Sequence, residues 1–213
     1  MMNIRSIKMS FKIGLRNFSA ALASAFFSFK YPTFEVKGAH RVPKEGGVLL
    51  CANHRKAEDP ILIYKGLHKA QKRYTYFYAK AALIKNKLLK WYLTDCLGAR
   101  TVSHTAADLG SIKWGLKKLK DGELVCIFPE GTRNRTDADL LEFQKGAAII
   151  AHMSKTQVVT ATISGSRKWF SKCSIEFSEP LDLNEFYEKK LDDAVKDGIT
   201  EKIYENVKKY LKK

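Results

Sequence analysis

The residue types best suited to chemistry in this chain occur in a short polar segment, residues 53–59, directly after an apolar run. The segment reads N-H-R-K-A-E-D and places His54 five positions before Asp59. Because histidine titrates near neutral pH, a neutral imidazole can take a proton from a hydroxyl group, and a carboxylate on its other nitrogen orients it. We therefore interpret His54 and Asp59 as a candidate general base and its partner. A surface histidine beside a helix-capping aspartate would show the same spacing.

A second polar segment, residues 128–135, reads F-P-E-G-T-R-N-R and also follows an apolar run. Proline ends a strand, and glycine at position 131 lets the backbone approach a ligand closely. The planar fork of Arg133 matches a phosphate group, and the hydroxyl of Thr132 can add a hydrogen bond. The segment indicates a phosphomonoester site beside His54, with a solvated charged turn as the alternative.

The elements that must position these segments alternate between short β-rich runs and helical patterns. This alternation predicts one α/β domain, with a mostly parallel central sheet flanked by helices. We predict strands at residues 34–37, 47–52, 75–79, 123–128, 157–163 and 173–178, and helices at 61–70, 83–96, 106–120 and 191–213. Both polar segments follow strands, and ligand sites in such sheets lie at the carboxyl ends of the strands.

The amino-terminal segment, residues 1–30, contains basic residues and no acidic residue. Apolar residues recur at three- and four-residue steps, which predicts a basic amphipathic helix. These residues are Ile4, Ile7, Phe11, Leu15, Phe18, Leu22 and Phe26. Polar residues interrupt the run at 17–29 too often for a membrane span, and the run before a possible cleavage site is too short for a signal peptide. We expect residues 1–30 to associate with a membrane and residues 31–213 to form the main domain. The alternative is a helix that docks on the core of the protein itself.

The charge balance predicts an anionic partner. Lys and Arg number 38 against 22 Asp and Glu, for a formal net charge of +16. Acidic lipid, a phosphorylated metabolite and nucleic acid would all fit this charge. Residues 72–78 mix aromatic with basic residues, which is typical of a nucleic-acid-binding surface or of a core strand after a polar turn. The four cysteines form no C-x-x-C pair and indicate reduced core residues of a cytosolic protein. The scattered histidines predict no metal site.

Together, segments 53–59 and 128–133 resemble the 1-acyl-glycerol-3-phosphate acyltransferase family, whose hallmarks are N-H-x4-D and F-P-E-G-T-R. The resemblance extends over residues 34–166 and includes A-K-A-A-L at 79–83 and F-Q-K-G-A at 143–147. It implies an O-acyltransferase that moves a fatty acyl group from acyl-CoA or acyl-ACP to the sn-2 hydroxyl of 1-acyl-glycerol-3-phosphate, which gives phosphatidic acid. A lysophospholipid or glycerol 3-phosphate is the alternative acceptor. The absence of a G-x-S-x-G motif disfavours a serine hydrolase, and nucleic acid would explain neither hallmark.

The resemblance also assigns roles to residues. His54 becomes the catalytic base and Asp59 its partner, while substrate binding falls to a set on three segments: Glu130, Gly131, Thr132, Arg133, Arg100 and Lys80. It implies no cofactor apart from the donor thioester, and a peripheral or monotopic place on an anionic membrane at its cytoplasmic face. Two positions depart from the family pattern. His104 stands where an arginine is usual, so Arg100 is a candidate to supply that charge, and Thr160 stands where a proline is common.

Overall fold

A computed structural model describes residues 4–71, 73–80, 86–102, 109–166 and 168–212 of the chain. Its strands are β1 (Glu35–Lys37), β2 (Val48–Ala52), β3 (Thr75–Lys80), β4 (Arg100–Val102), β5 (Leu124–Ile127), β6 (Gln157–Gly165) and β7 (Cys173–Phe177). Among the described residues they form one seven-stranded sheet in the order β1-β7-β6-β2-β5-β3-β4. The five strands from β6 to β4 are parallel to their neighbours, and β7 is antiparallel to β6. The predicted α/β fold with a mostly parallel sheet is confirmed.

The helices cover both faces of this sheet. They are α1 (Ile4–Lys30), α2 (Asp59–Gln71), α3 (Lys87–Trp91), α4 (Leu109–Lys120), α5 (Gly146–Ser154), α6 (Asn184–Tyr187) and α7 (Asp193–Lys209). A π-helical segment, Tyr92–Cys96, continues α3, so the helix predicted at 83–96 is confirmed over its described part. Residues 83–85 and 106–108 of the predicted helices lie outside the described residues.

All six predicted strands are present, and no end differs by more than two residues from the one predicted. Strand β4 was not predicted, because its three residues contain no apolar run. Helix α5 was also missed. Its sequence, GAAIIAHMS, is apolar on nearly every side and so has no helical period to detect.

The middle strand β2 shows why the sheet must lie between two helical layers. All five of its residues are fully buried, although successive side chains of a strand point to opposite faces. Leu50 packs in the layer that contains α1 and α2, whereas Leu49 packs in the layer that contains α4, α5 and α7. A strand that is apolar on both faces stays buried only in such a sandwich. The layers thus hold rigidly the strand that leads into residues 53–59.

Helix α1 uses two different faces. Phe27 and the following Tyr31 belong to the core beside α2, and the Arg16 guanidinium lies 3.9 Å from the centre of the Tyr74 ring. The apolar face predicted from the sequence points the other way, and its described members are mostly exposed: Phe11 63%, Phe18 69%, Leu22 63% and Phe26 49%. No helix among the described residues is both long and apolar enough to span a membrane. The helix therefore docks on the core and still presents an uncovered apolar stripe.

Asn53, the first residue after β2, joins that strand to β6 through its side chain. Its Nδ2 donates to the Ile163 carbonyl at 2.9 Å, and its Oδ1 accepts from the Ile163 amide at 2.8 Å. The side-chain amide of Asn53 thus bonds the backbone of β6 as a neighbouring strand would. The side chain is 1% exposed, so water cannot take its place. This double hydrogen bond fixes the point at which the chain leaves the sheet toward His54.

Replacing Asn53 by alanine should lower the free energy of unfolding by about 2 to 4 kcal/mol, because two buried backbone groups of Ile163 would lose their partners. Urea unfolding followed by circular dichroism measures this loss. Asn184→Ala, at an exposed position, serves as the control and should change stability by no more than about 0.5 kcal/mol. Equal stability of the Asn53→Ala variant and the parent would contradict the assigned role.

Candidate active site

The two polar segments found in the sequence meet because β2 and β5 are parallel neighbours. Cys51 of β2 pairs in register with Ile127 of β5, so both strands end at the same edge of the sheet. Two hydrogen bonds then join the segments: the His54 amide donates to Glu130 Oε1 at 2.6 Å, and the Asn134 amide donates to the His54 carbonyl at 2.7 Å. The backbone of His54 is thus held on both sides by the second segment.

His54 and Asp59 form the pair that their spacing predicted. His54 Nδ1 lies 3.0 Å from Asp59 Oδ2, and the same oxygen accepts the backbone amides of Arg55 at 2.7 Å and Lys56 at 2.8 Å. Asp59 is fully buried and is the first residue of α2, where the helix dipole favours a negative charge. Because Asp59 Oδ2 already accepts two backbone hydrogen bonds, it also acts as an acceptor toward the imidazole; the tautomer with its hydrogen on Nδ1 fits this contact and leaves Nε2 as the basic nitrogen.

The imidazole of His54 is packed on one side and open on the other. The ring of Phe128 stacks on it at a centroid distance of 4.1 Å and an interplanar angle of 21°. The His54 side chain nevertheless remains 18% exposed. Phe128, the first residue after β5, therefore orients the imidazole without covering it.

Glu130 is buried and acts as a clamp between segments. It is 4% exposed, and its second oxygen, Oε2, accepts the Leu141 amide at 2.9 Å, while Oε1 accepts the amide of His54. Burial raises the pKa of Glu130, and the two backbone hydrogen bonds oppose that rise. This geometry favours a positioning role for Glu130, which was predicted from the sequence to bind substrate.

The three residues after Glu130 form the rim of the site. Gly131 has φ +64°, a left-handed conformation that favours glycine, and its amide closes a turn onto the Phe128 carbonyl at 3.0 Å. Thr132 is exposed and Arg133 is half-buried. Arg133 directly precedes Asn134, whose amide is bonded to His54, so the backbone brings this arginine beside the histidine.

The remaining predicted substrate residues lie further along the same side of the sheet. Lys80 ends β3, the strand beyond β5, although its side chain lies outside the described part of the structure. Arg100 lies in β4 at the sheet edge, in register with Tyr78. Three strand spacings of about 4.8 Å separate β4 from β2, which puts the Arg100 backbone roughly 14 Å from β2. Arg100 Nε is buried and has no hydrogen-bond partner among the described residues.

The two departures from the family pattern fall in different places. His104 lies outside the described residues. Thr160 is buried in β6, where its hydroxyl donates to Asn206 Oδ1 of α7 at 2.6 Å and its amide donates to Ser178 Oγ at 3.0 Å. A proline at this position would lack the amide donor, so Thr160 makes a core connection between the sheet and α7.

Sequence patterns did not reveal a polar cluster that ties α1 to the His54 loop. Glu58 Oε1 lies 2.8 Å from Lys30 Nζ and accepts the Tyr31 hydroxyl at 2.9 Å. Burial would raise the pKa of Glu58, but the hydrogen bonds and the charge of Lys30 outweigh it and lower that pKa. Glu58 directly precedes Asp59, so the end of α1 is fixed to the residue next to the catalytic candidate. Its position beside Asp59 was the only signal available in the sequence.

The cysteines offer no competing nucleophile among the described residues. All four are buried. Burial raises the pKa of Cys51 to about 12 and raises that of Cys126 well above its usual range. Both groups are therefore neutral thiols at physiological pH and unreactive as nucleophiles.

A mostly parallel sheet between two helical layers carries an oriented histidine and an arginine-bearing loop at its carboxyl edge, the place where α/β enzymes bind their ligands. The family model described as Acyltransferase matches residues 33–164, which contain both segments. The chain therefore belongs to the acyltransferase family.

Individual relatives agree with this assignment. The chain is 31% identical over 157 residues to the 1-acyl-sn-glycerol-3-phosphate acyltransferase of Bacillus subtilis, with 71% of this chain and 75% of the relative covered. It is 26% identical over 189 residues to the protein of the same name from Borreliella burgdorferi, with 79% and 70% covered. The crystal structure of the 1-acyl-sn-glycerophosphate acyltransferase PlsC of Thermotoga maritima matches 99% of this chain and 84% of its own, with a TM-score of 0.64 and 22% identity. That likeness shows the fold.

The Glu58 cluster should leave a signature in the pH dependence of stability. Because the pKa of Glu58 is lowered in the folded state, the unfolded chain binds this proton first on acidification. The stabilisation is then present above the ordinary value of 4.5 and is lost as the pH falls through the lowered pKa. The fall in melting temperature over this acidic range should be smaller for Glu58→Gln than for the parent.

Glu188→Gln provides the matched control, since the Glu188 side chain is 86% exposed and pairs with Lys155 at 3.5 Å. Its melting curve should follow that of the parent at every pH. Parallel curves for the parent and Glu58→Gln would show that the cluster contributes no such stabilisation.

Proposed function

We propose that this chain transfers a fatty acyl group from a thioester to the sn-2 hydroxyl of 1-acyl-sn-glycerol-3-phosphate. One observation carries the proposal: the His54–Asp59 pair, 3.0 Å apart, lies against the loop that contains Thr132 and Arg133. The names of the Bacillus subtilis and Borreliella burgdorferi relatives support this choice of reaction.

The base in this reaction is Nε2 of His54. It takes the proton of the acceptor hydroxyl while the oxygen attacks the thioester carbonyl, and the C–O bond forms. When the tetrahedral intermediate collapses, the C–S bond breaks and the imidazolium returns the proton to the sulfur. Asp59 stabilises the imidazolium and holds its orientation throughout. No acyl group is attached to the protein at any step.

The acceptor phosphate is bound by the rim residues Arg133 and Thr132. Two further residues are proposed to bind the acceptor: Arg100, whose Nε is buried without a partner among the described residues, and Lys80, which ends strand β3. The position of Arg100 on β4 leaves room for a longer acceptor. The departure at position 104 makes a lysophospholipid or glycerol 3-phosphate the second candidate acceptor.

The donor is an acyl thioester, acyl-CoA or acyl-ACP, and the proposed mechanism uses no further cofactor. A thiolate is a much better leaving group than an alkoxide, because thiols are far more acidic than alcohols. His54 is therefore needed more to take the proton from the acceptor hydroxyl than to protonate the leaving sulfur.

The acceptor and product are membrane lipids, so the site must be brought to a bilayer at its cytoplasmic face. The exposed stripe of α1 is the contact we propose: Phe11, Phe18, Leu22 and Phe26 lie on one side of this basic helix. An amphipathic helix with apolar rings on one face and basic residues elsewhere lies in the plane of an anionic membrane surface. The enzyme is then peripheral or monotopic.

His54→Ala should lower the turnover number about 10²–10⁴-fold, since the general base is removed. Asp59→Asn should cause a smaller loss, because the imidazole keeps its neighbour and loses a charged partner. Initial rates with lysophosphatidate and one acyl-CoA measure both effects. His40→Ala, at an exposed histidine outside the site, is the control, and near-parent turnover in His54→Ala would refute the assigned base.

Arg133→Ala should raise the Michaelis constant for the acceptor about tenfold or more and that for the donor far less, because one charge-assisted hydrogen bond to phosphate is lost. Arg135→Ala, two residues further along the same loop and exposed, is the matched control and should change neither constant much. Arg100→Ala should resemble Arg133→Ala if it also binds phosphate. A change confined to the donor constant would reassign these arginines to the donor.

A further inference from the structure

The turn between β6 and β7 exposes two large aromatic side chains. Trp169 is 53% exposed and Phe170 is 61% exposed. Aromatic side chains of this size are normally buried, and a pair of them at the tip of a turn marks an interaction surface. The resemblance and the proposed reaction assign no role to residues 168–172.

The backbone of this turn is held in a conformation that presents the rings. Phe170 has φ +59°, which is unfavourable for a side chain of its size. Its amide donates to the Lys30 carbonyl at 2.9 Å, and the Ser171 hydroxyl bonds to the carbonyls of Ser166 at 2.7 Å and Lys168 at 2.6 Å. An unfavourable conformation persists when its surroundings enforce it, and it recurs at functional sites.

The turn lies at the edge of the sheet that carries His54. Ala161 of β6 pairs in register with Ala52, the last residue of β2, and β6 continues for four more residues to Gly165. At about 3.3 Å per residue, the start of the turn is roughly 13 Å beyond the end of β2. The turn therefore lies beyond the edge of the sheet at which His54 follows β2.

The two rings also continue the exposed stripe of α1. The Phe26 and Trp169 centroids are 5.7 Å apart, and those of Phe29 and Phe170 are 5.5 Å apart. Lys30 Nζ lies 5.9 Å from the centre of the Trp169 ring, and Lys168 and Lys172 flank the turn and are exposed. Two segments that are distant in the sequence thus form one apolar surface with a basic border.

We propose that residues 168–172 form a second bilayer contact, in which Trp169 and Phe170 enter the interface and the flanking lysines bind anionic headgroups. This inference rests on the proposed membrane role of α1. It adds an anchor at the same edge of the sheet as His54.

Charge and composition favour a bilayer over a protein partner. Tryptophan and phenylalanine with lysine neighbours suit the membrane interface, where rings contact acyl chains and ammonium groups contact phosphates. The net charge of +16 favours an anionic surface. A second copy of this chain would carry the same positive charge, and the two basic borders would repel each other.

The experiment measures sedimentation of the full chain with phosphatidylcholine vesicles, with and without phosphatidylglycerol. Trp169→Ala and Phe170→Gly should each weaken binding about tenfold, since one aromatic ring leaves the interface. Lys168→Gln with Lys172→Gln should weaken binding only to the anionic vesicles, by about fivefold for each charge. Met153→Ala, at a 56% exposed position on α5 in the opposite layer, is the control.

Phe170→Gly separates a surface role from a structural one. Glycine adopts φ +59° without penalty, so the melting temperature should stay equal or rise while vesicle binding falls. A lower melting temperature with unchanged binding would overturn the proposal. Quenching by lipids with brominated acyl chains gives an independent readout: the parent should lose tryptophan fluorescence on binding, and Trp169→Phe should lose much less.

Phe18→Ser with Leu22→Ser, on the exposed face of α1, distinguishes failure of this inference from failure of the proposed membrane role. If these changes weaken binding while the turn variants bind like the parent, the second anchor is refuted and the first stands. If the parent binds neither kind of vesicle, both are refuted. Concentration-dependent self-association that Trp169→Ala abolishes would instead assign the surface to a second copy of the chain.

Discussion

Strands β2 and β5 run parallel and in register, and the contacts of the candidate site begin where these two strands end. The hydrogen bonds from the amides of His54 and Asn134 cross from one loop to the other. Both loops leave strands that are buried on both faces, so their starting points cannot shift without disturbing the core. A short loop held at its base and bonded to its neighbour can keep an imidazole in one orientation.

Three acidic side chains around His54 do different things because their surroundings differ. Asp59 is fully buried at the start of α2 and bonds to the imidazole. Glu130 is equally hidden, but both of its oxygens are occupied by backbone amides, so it joins two loops. Glu58 faces Lys30 and Tyr31 and connects the loop to α1. The chemical type of the side chain is shared, and its partners decide its role.

The two interpretations that the sequence left open for helix α1 concern different sides of the helix, and the structure shows the docked side. Phe27 and Tyr31 pack in the core, and Lys30 is paired with Glu58. The exposed stripe that includes Phe18 and Leu22 remains available to a membrane. Removing residues 1–30 would therefore take away core contacts as well as the proposed anchor, whereas substitutions on the exposed face leave the core intact. The end of α1 is bonded to Glu58, and Glu58 is the residue directly before Asp59.

The sequence by itself determined the α/β class, six of the seven strands and the two polar segments of the candidate site, because these depend on local patterns of apolar, polar and turn residues. It also identified the spacing of His54 and Asp59, which a single tight turn can bring together. Strand β4 and helices α5 and α6 were missed, since β4 and α6 are too short and α5 is too uniformly apolar to show a period.

Only the tertiary structure decided which groups meet across long stretches of chain. The clamp from Glu130 to the backbone of His54, the pairing of Asn53 with Ile163 and the contact between Phe26 and Trp169 all join residues that no local pattern relates. The order of strands places β2 beside β5 and β6, and strand order is set by packing of the whole sheet. The physical reason is that burial and hydrogen-bond partners belong to the folded chain, whereas periodicity and residue type belong to each segment alone.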